Sequence, residues 1–256
     1  MIGVPLVLSC PPEAVKKLSD EQGDIDKLVN FAEKVALAET RWANRTGNQA
    51  FDAVRDRLAE LRPGKQYCCY CEHNTTSAIE HIWPKSLYPE HAFVWWNYLL
   101  VCFRCNTEKK GKQWAMFGAG DTVSPVTSAT AFPISDAVFL DLRMENPLAL
   151  IRLDFSDWQL KPRNDIVLSV REKRRVEYTV ETVLELNDEA FRSARRALFQ
   201  TYYQDLKTYR RTRDAELARA NILGNLHPTV WFEMKRQSNH PKLKRLFDGI
   251  SEVLDW

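Results

Sequence analysis

Cys68-Cys69-Tyr70-Cys71 and Cys102-Phe103-Arg104-Cys105 each carry a Cys-x2-Cys pair, and thirty residues, 72–101, separate them. Two such knuckles can turn four thiolates, from Cys68, Cys71, Cys102 and Cys105, onto one Zn2+ and complete a closed tetrahedral site. A closed four-sulfur site leaves no position for water, so this metal would hold structure and would not catalyse. Free buried cysteines and an iron–sulfur cluster are the competing readings, and two matched pairs favour zinc. Cys69 sits inside the first knuckle and must point away if its neighbours ligate. A Cys69–Cys71 pairing would leave only one residue between ligands, a poorer bite. Cys10 reads as core filler.

The rest of the chain bounds the setting. It has 256 residues, 45 % hydrophobic and 27 % charged, enough apolar material for a sizeable core and against disorder or a fibrous architecture. Lys and Arg exceed Asp and Glu by 36 − 34 = +2, so any nucleic-acid surface must come from local clustering. Five of the six Cys fall between 68 and 105, which suits a metal site better than a secreted disulfide scaffold. No apolar run approaches the ~20 residues that span a bilayer. The apolar start, Met1 to Cys10, lacks a basic leader and reads as a short buried strand or strap. The expected compartment is the cytoplasm, where thiols stay reduced.

Between the knuckles lies Glu80-His81-Ile82-Trp83-Pro84-Lys85-Ser86. The carboxylate is a hard oxygen ligand suited to Mg2+, and the imidazole titrates near pH ~6.5 and suits a general base for water. Asn106 directly follows a knuckle cysteine, which would fix its position, and it offers a neutral oxygen to a metal. Lys109, Lys110 and Lys112 follow as candidate phosphate partners.

These motifs resemble the zinc-containing HNH endonucleases. The resemblance rests on Cys-x2-Cys, Glu-His-x2-Pro, Asn-x4-Cys-x2-Cys-Asn and the trailing Lys cluster. It implies a ββα-metal unit: a hairpin carrying the histidine, then a helix carrying the last ligand. Glu80 then resembles the acidic ligand of a catalytic Mg2+ or Mn2+, and His81 the general base. Asn97 resembles the residue that braces the loop and aims that base, and Asn106 the second metal ligand, an H-N-N variant. The family more often has Asp at the Glu80 position and often His at the Asn106 position. Asn106 disfavours softer catalytic metals. A narrower likeness, carried by 79–89, 92–97 and 180–187, is to the HNH subunit of Septu-type antiphage systems, also found with some retrons. It implies a defence nuclease working beside an ATPase partner. The strong match covers about 65–113 and a looser one reaches about 215.

The expected fold is α+β and mostly helical. A 1–62 N-terminal helical region precedes a 63–117 ββα-metal insert, and a mainly helical 118–256 region follows. Helices are expected at 24–43, capped by Asp24, and at 48–61, stopped by Arg62-Pro63-Gly64. A surface loop covers 118–135. Short strands are expected at 137–140, 151–155 and 166–168. One long helix runs from Asn187 to Leu223-Gly224, with Phe191, Ala194, Leu198, Tyr202, Leu206 and Tyr209 as its stripe, and further helices begin at Pro228 and after Pro241. Between 192 and 213 that helix carries seven Lys or Arg against Asp205 alone, a local excess of 7 − 1 = +6. Arg192, Arg196, Lys207 and Arg211 recur on one face, either as phosphate contacts or as a solvated surface. His73 and His91 read as surface or supporting residues, and Trp83, Trp95, Trp96 and Trp114 as packing more than base stacking. The functional expectation is a phosphodiester hydrolase acting on DNA, with RNA left open. The alternatives are a zinc-knuckle binding module that does not cleave, and a structural subunit with a decayed site.

Overall fold

The computed structural model describes residues 9–60, 67–73, 75–76, 78–127, 134–224 and 227–256. The expected N-terminal strap and the Arg62-Pro63-Gly64 stop fall largely or wholly outside them. Three helices open the fold. α1, Pro12–Asp26, begins with proline in its first turn and buries Ala14, Leu18, Glu21, Gln22 and Ile25 along one face. It takes in Asp24, so the expected helix start there is displaced. α2, Phe31–Ala43, starts instead at Asn30, whose side chain accepts from the amides of Ala32 and Glu33 at 2.8 and 3.3 Å. Those bonds satisfy donors that a helix start otherwise leaves open. α3, Gln49–Glu60, matches expectation and buries Phe51, Val54 and Leu58. Arg41 ties α2 to α1 through Glu21 and Asp24, at 2.6 and 2.9 Å.

The central hairpin pairs β1, Ala78–His81, antiparallel with β2, Tyr98–Val101. Glu80 stands opposite Leu99 and His81 opposite Tyr98. β2 is buried along its whole length, and the first knuckle is stitched to it where the Cys69 amide donates to the Leu100 carbonyl at 3.0 Å. After the second knuckle, Arg104–Lys110 forms a π-helical segment closed by Gly111 at φ 45°, a backbone angle glycine adopts at little cost. The element order is therefore strand, strand, helical turn.

The expected surface loop at 118–135 is in part a hairpin. β3, Ala115–Phe117, pairs with β4, Val123–Pro125, because the buried Trp114-Ala115-Met116-Phe117 run needs partners for its backbone. Of the expected strands, only the middle one forms, as β5, Ile151–Leu153, paired with β6, Leu160–Pro162. Val138, Phe139 and Leu140 are fully buried but make only an isolated bridge beside them, Met116 to Ala137. Val167 is fully exposed and its segment forms no strand. α4, Val170–Glu177, was not anticipated, although Ser169 and Glu172 form a reciprocal capping box at its start.

The long basic helix breaks in two. α5, Glu189–Thr212, ends at Arg213 in the left-handed region, φ 58°. That residue is held by the Gly249 carbonyl at 2.7 Å and Glu252 at 2.9 Å. Asp214 then caps α6, Ala215–Leu223, by accepting from the Leu217 amide at 3.0 Å. The buried stripe of α5 includes Arg195 and Phe199, while Ala194 and Leu198 are only half-buried. α7, Pro228–Arg236, and α8, Pro241–Phe247, lie as expected. One apolar core draws on most of these elements, from Ala14 to Val253, while β4 is exposed along its length and Ala115, Phe117 and Val138 form a small second cluster. Among the described residues no helix is long and apolar enough to cross a membrane.

The C-terminal helices grip the first knuckle. Glu72, at φ 58° and buried, accepts from the His227 amide through its carbonyl at 3.3 Å. Its carboxylate accepts from the Thr229 hydroxyl at 2.8 Å and amide at 3.2 Å. The His227 ring meets His73 at 3.2 Å. Burial pushes the His227 imidazole down to about 3. The folded state thus holds it neutral while the unfolded chain binds a proton near pH ~6.5. Stability is full above that value and falls as pH drops towards 3, by about 1.4 kcal/mol per pH unit for one proton. Urea denaturation from about pH 7 to pH 5.5 should show stability falling in the wild type, with His227 contributing up to that slope beside the other lowered histidines, His81 and His91. The fall should be shallower by up to one proton in His227→Asn, whose side chain tolerates the left-handed backbone and does not titrate.

Candidate functional site

Cys68, Cys71, Cys102 and Cys105 are all buried, and their sulfurs lie within 4.8 Å of one another. Cys71 and Cys102 sulfurs stand 3.9 Å apart. A tetrahedral zinc with bonds of about 2.3 Å needs sulfur–sulfur edges of about 3.8 Å, so the four residues fit the ion. Cys69 is buried outside this set. The Cys105 amide donates to the Cys102 sulfur at 3.5 Å, as a turn closing on its own ligand requires. Burial pushes the Cys68 thiol well up, because thiolates gathered away from water need a cation. The donor set is compatible with a zinc site.

Beside it opens a cleft of about 410 Å3. β1 contributes Glu80 and His81, the segment after the second knuckle contributes Asn106 and Lys112, α2 contributes Trp42, and the turn after α2 contributes Arg45. The His81 ring is held at two points. Its Nε2 lies 2.9 Å from the Ala92 carbonyl, and the Trp42 ring meets it edge-on at a centroid distance of 4.1 Å. A carbonyl can only accept, so the hydrogen sits on Nε2 and the lone pair on Nδ1. Burial, and then the nearby Lys85 ammonium, hold the imidazole well below its usual titration range. It is therefore neutral at neutral pH, with the Nδ1 lone pair unprotonated.

Asn97 is fully buried and shapes the loop that carries the Ala92 carbonyl. Its Oδ1 accepts from the Trp83 amide at 2.8 Å, and its Nδ2 donates to the carbonyls of Trp83 at 3.0 Å and His91 at 2.8 Å. Its own carbonyl accepts from the Ile82 amide at 3.0 Å. One side chain thus fixes both ends of the segment between the strands. Trp83 and Trp114, 2 % and 1 % exposed, pack against each other in the core and are not available for base stacking.

The lysines divide differently from the sequence expectation. Lys110 is fully buried: its ammonium lies 2.9 Å from Glu80 Oε1 and donates to the His81 carbonyl at 3.0 Å. It is an internal counter-ion, not a phosphate contact, because it has no surface to offer one. Desolvation raises the Glu80 carboxyl, and the Lys110 charge opposes that rise. Lys109 pairs with Glu185, which competes with any phosphate role. Lys112 alone of the three is exposed and lines the cleft, and Asn106 stands beside it, half-buried.

On the basic helix, Arg195 is buried and donates to the carbonyls of Trp158 and Leu186, so it leaves the expected charge excess. Arg192 donates to the Asp157 carbonyl at 2.9 Å and pairs with Glu189 at 3.3 Å. Arg196, Lys207 and Arg211 are exposed, but none of these helix cations lines the cleft. Sequence reasoning missed Trp42 and Arg45, which come from the unmatched N-terminal region and carry no motif. It also passed over Lys85, which lies in the quoted Glu80–Ser86 run.

Replacing Cys102 by Ser should release zinc, measurable by elemental analysis, and lower the melting temperature, since structural zinc contributes on the order of 10 kcal/mol in small zinc domains. Lys110→Met should cost about 3–5 kcal/mol in urea denaturation by stranding the Glu80 charge. Adding Glu80→Gln should recover part of that loss, a coupling only a direct pair produces. Compared with protein-family models and with curated proteins, the sequence matches none.

Proposed function

We propose that the protein is a metal-dependent endonuclease of the HNH kind, hydrolysing phosphodiester bonds of nucleic acid, with DNA the expected substrate. The observation that carries this reading is the His81 imidazole, neutral and fixed by the Ala92 carbonyl, in the same cleft as Glu80 and Asn106. Nδ1 of His81 accepts the proton of the attacking water. Asn97 keeps the Ala92 carbonyl, and through it the ring, in place. Glu80, through the oxygen Lys110 does not engage, and Asn106 would hold Mg2+ or Mn2+, both being oxygen donors suited to hard ions. Such an ion, when bound, supplies stabilisation of the charge that develops on the phosphate. The zinc cluster holds the framework. By the resemblance, the protein would serve as the nuclease effector of an antiphage system beside an ATPase partner in the cytoplasm.

One observation favours a second reading, a zinc-knuckle module that binds nucleic acid or protein without cutting. Glu80 already has a counter-ion in Lys110, which weakens its need for a metal. Incubation with supercoiled plasmid separates the two. The nuclease reading expects nicking with Mg2+ or Mn2+ and none with EDTA. It also expects nicking to fall by at least about 100-fold in His81→Ala, whose zinc content and melting curve stay near wild type. Nicking at the wild-type rate by that variant would remove His81 as the base, and no nicking by the wild type would leave the binding module.

A further inference from the structure

Three cations line the cleft, and Glu39, whose charge acts on Lys85, is the one lining carboxylate that Lys110 does not take up. Among the described residues Arg45, Lys85 and Lys112 make no ion pair, although all three line the same space as His81. Elsewhere on the chain, surface and half-buried cations close on carboxylates readily: Arg41 on Glu21 and Asp24, Lys109 on Glu185, Arg175 on Glu145. The cleft cations are also placed at some cost. Lys85 is half-buried, and burial holds its ammonium below its ordinary range; the Glu39 and Glu80 carboxylates oppose that fall, and Arg45 and Lys110 add to it. Arg45 is lowered by burial and by Arg55. Glu39 and Glu80 are the acids on the same walls, and Glu80 is taken up by Lys110. Like charges gathered in a half-buried space without pairing fit a site that receives an anion.

The geometry gives Arg45 a fixed aim. Its guanidinium lies over the Trp42 ring at 4.3 Å, and Nη1 donates to the Trp42 carbonyl at 2.6 Å. The same indole meets the His81 ring. One tryptophan of α2 therefore sets the position of a cation and of an imidazole in the same cleft. Lys85 stands on the β1 side, four residues past His81. Lys112 follows Asn106 on the turn after the second knuckle and lines the same cleft.

We infer that Arg45 and Lys85 form a phosphate clamp in the cleft that Lys112 also lines, and bind the backbone phosphates of a nucleic-acid strand next to the bond to be cut. This inference rests on the nuclease reading for its substrate but not for its chemistry. An arginine presents a planar fork of donors to a phosphate, and lysine a point charge. The N-terminal region is then part of the substrate site, through Arg45, and not only a support for the hairpin.

The test uses the full zinc-loaded chain carrying His81→Ala, without added divalent ion. Binding of a fluorescent DNA duplex is measured across salt concentrations. Arg45→Gln and Lys85→Gln should each weaken binding and flatten the log–log salt dependence by about one unit, and the double variant by about two. Lys173→Gln, an exposed cation outside the cleft, should change the slope in neither direction. Arg45→Lys should restore most of the slope while restoring less affinity, which separates lost charge from a damaged fold. A double variant that melts like its parent and keeps the parental slope overturns the clamp, as does a parent that binds no DNA. If inorganic phosphate raises the melting temperature of the parent but not of the double variant, while DNA binding is the same in both, the cations serve a small phosphate ligand and the nucleic-acid assignment fails. Plasmid cleavage by the wild type is read separately. A protein that cuts but whose binding slope ignores Arg45 and Lys85 loses only the clamp, and one whose slope responds but which never cuts loses only the nuclease reading.

Discussion

Four buried thiols that must share one small volume are the constraint on which the rest depends. Cys68 and Cys71 lie before the hairpin, Cys102 and Cys105 after it, so bringing them together closes a loop of about thirty residues around β1 and β2. A two-stranded hairpin is marginal on its own in water. Here it is anchored at its base by the cluster and pressed by α3 and by Trp42 of α2. Glu72, next in the chain after a cluster cysteine, receives α7 through Thr229 and His227. The C-terminal helices are thus tied to the knuckle by hydrogen bonds as well as by apolar packing. Loosening the sulfurs would release both the hairpin and the helices that lean on it.

A second constraint is electrostatic. β1 brings a carboxylate and an imidazole into a nearly dry position side by side, and each needs an answer. His81 is kept neutral, its one N–H spent on a carbonyl. Glu80 is answered by Lys110, whose ammonium also takes the His81 carbonyl. Losing water from a charged pair costs more than most pairs return, so a pair in this place is better explained by what it positions than by the stability it adds. It locks the helical turn that carries Asn106 against the strand that carries Glu80.

Much of this was legible in the sequence, and the parts that were not have common causes. The cysteine pairs, the Glu-His step, Asn97 and the hairpin that joins them depend on residue types at short fixed spacings, which survive in one dimension. Helix α3 announced itself by its apolar period, and α7 and α8 by the proline at their start. The start of α2 was misplaced because Asp24 and Asn30 are both competent caps, and only the packing of α1 on α3 decides between them. The break at Arg213 was hidden because its causes, the Gly249 carbonyl and Glu252, lie some forty residues away. Lys110 looked like its neighbours Lys109 and Lys112, since a charge run carries no mark of which member turns inward. A seven-residue π-helical segment rotates that one side chain beneath the strand.

The same reasoning explains where the cleft's basic character resides. The charge excess visible in the sequence lies on α5, yet much of it is spent there on carbonyls and on Glu189, and none of it lines the cleft. The cations that do line it come from three separate places, the turn after α2, the loop after β1 and the turn after the second knuckle. No window of the sequence holds them together, and none is numerous enough to shift the net charge from +2. What makes them a group is the closure of the hairpin and the seating of α2 on His81 through Trp42. A local field for an anion therefore arises from tertiary structure in a chain that is close to neutral overall. A field built from so few charges, two of them half-buried, acts at short range: it favours a phosphate already in the cleft more than it steers distant ones through salt.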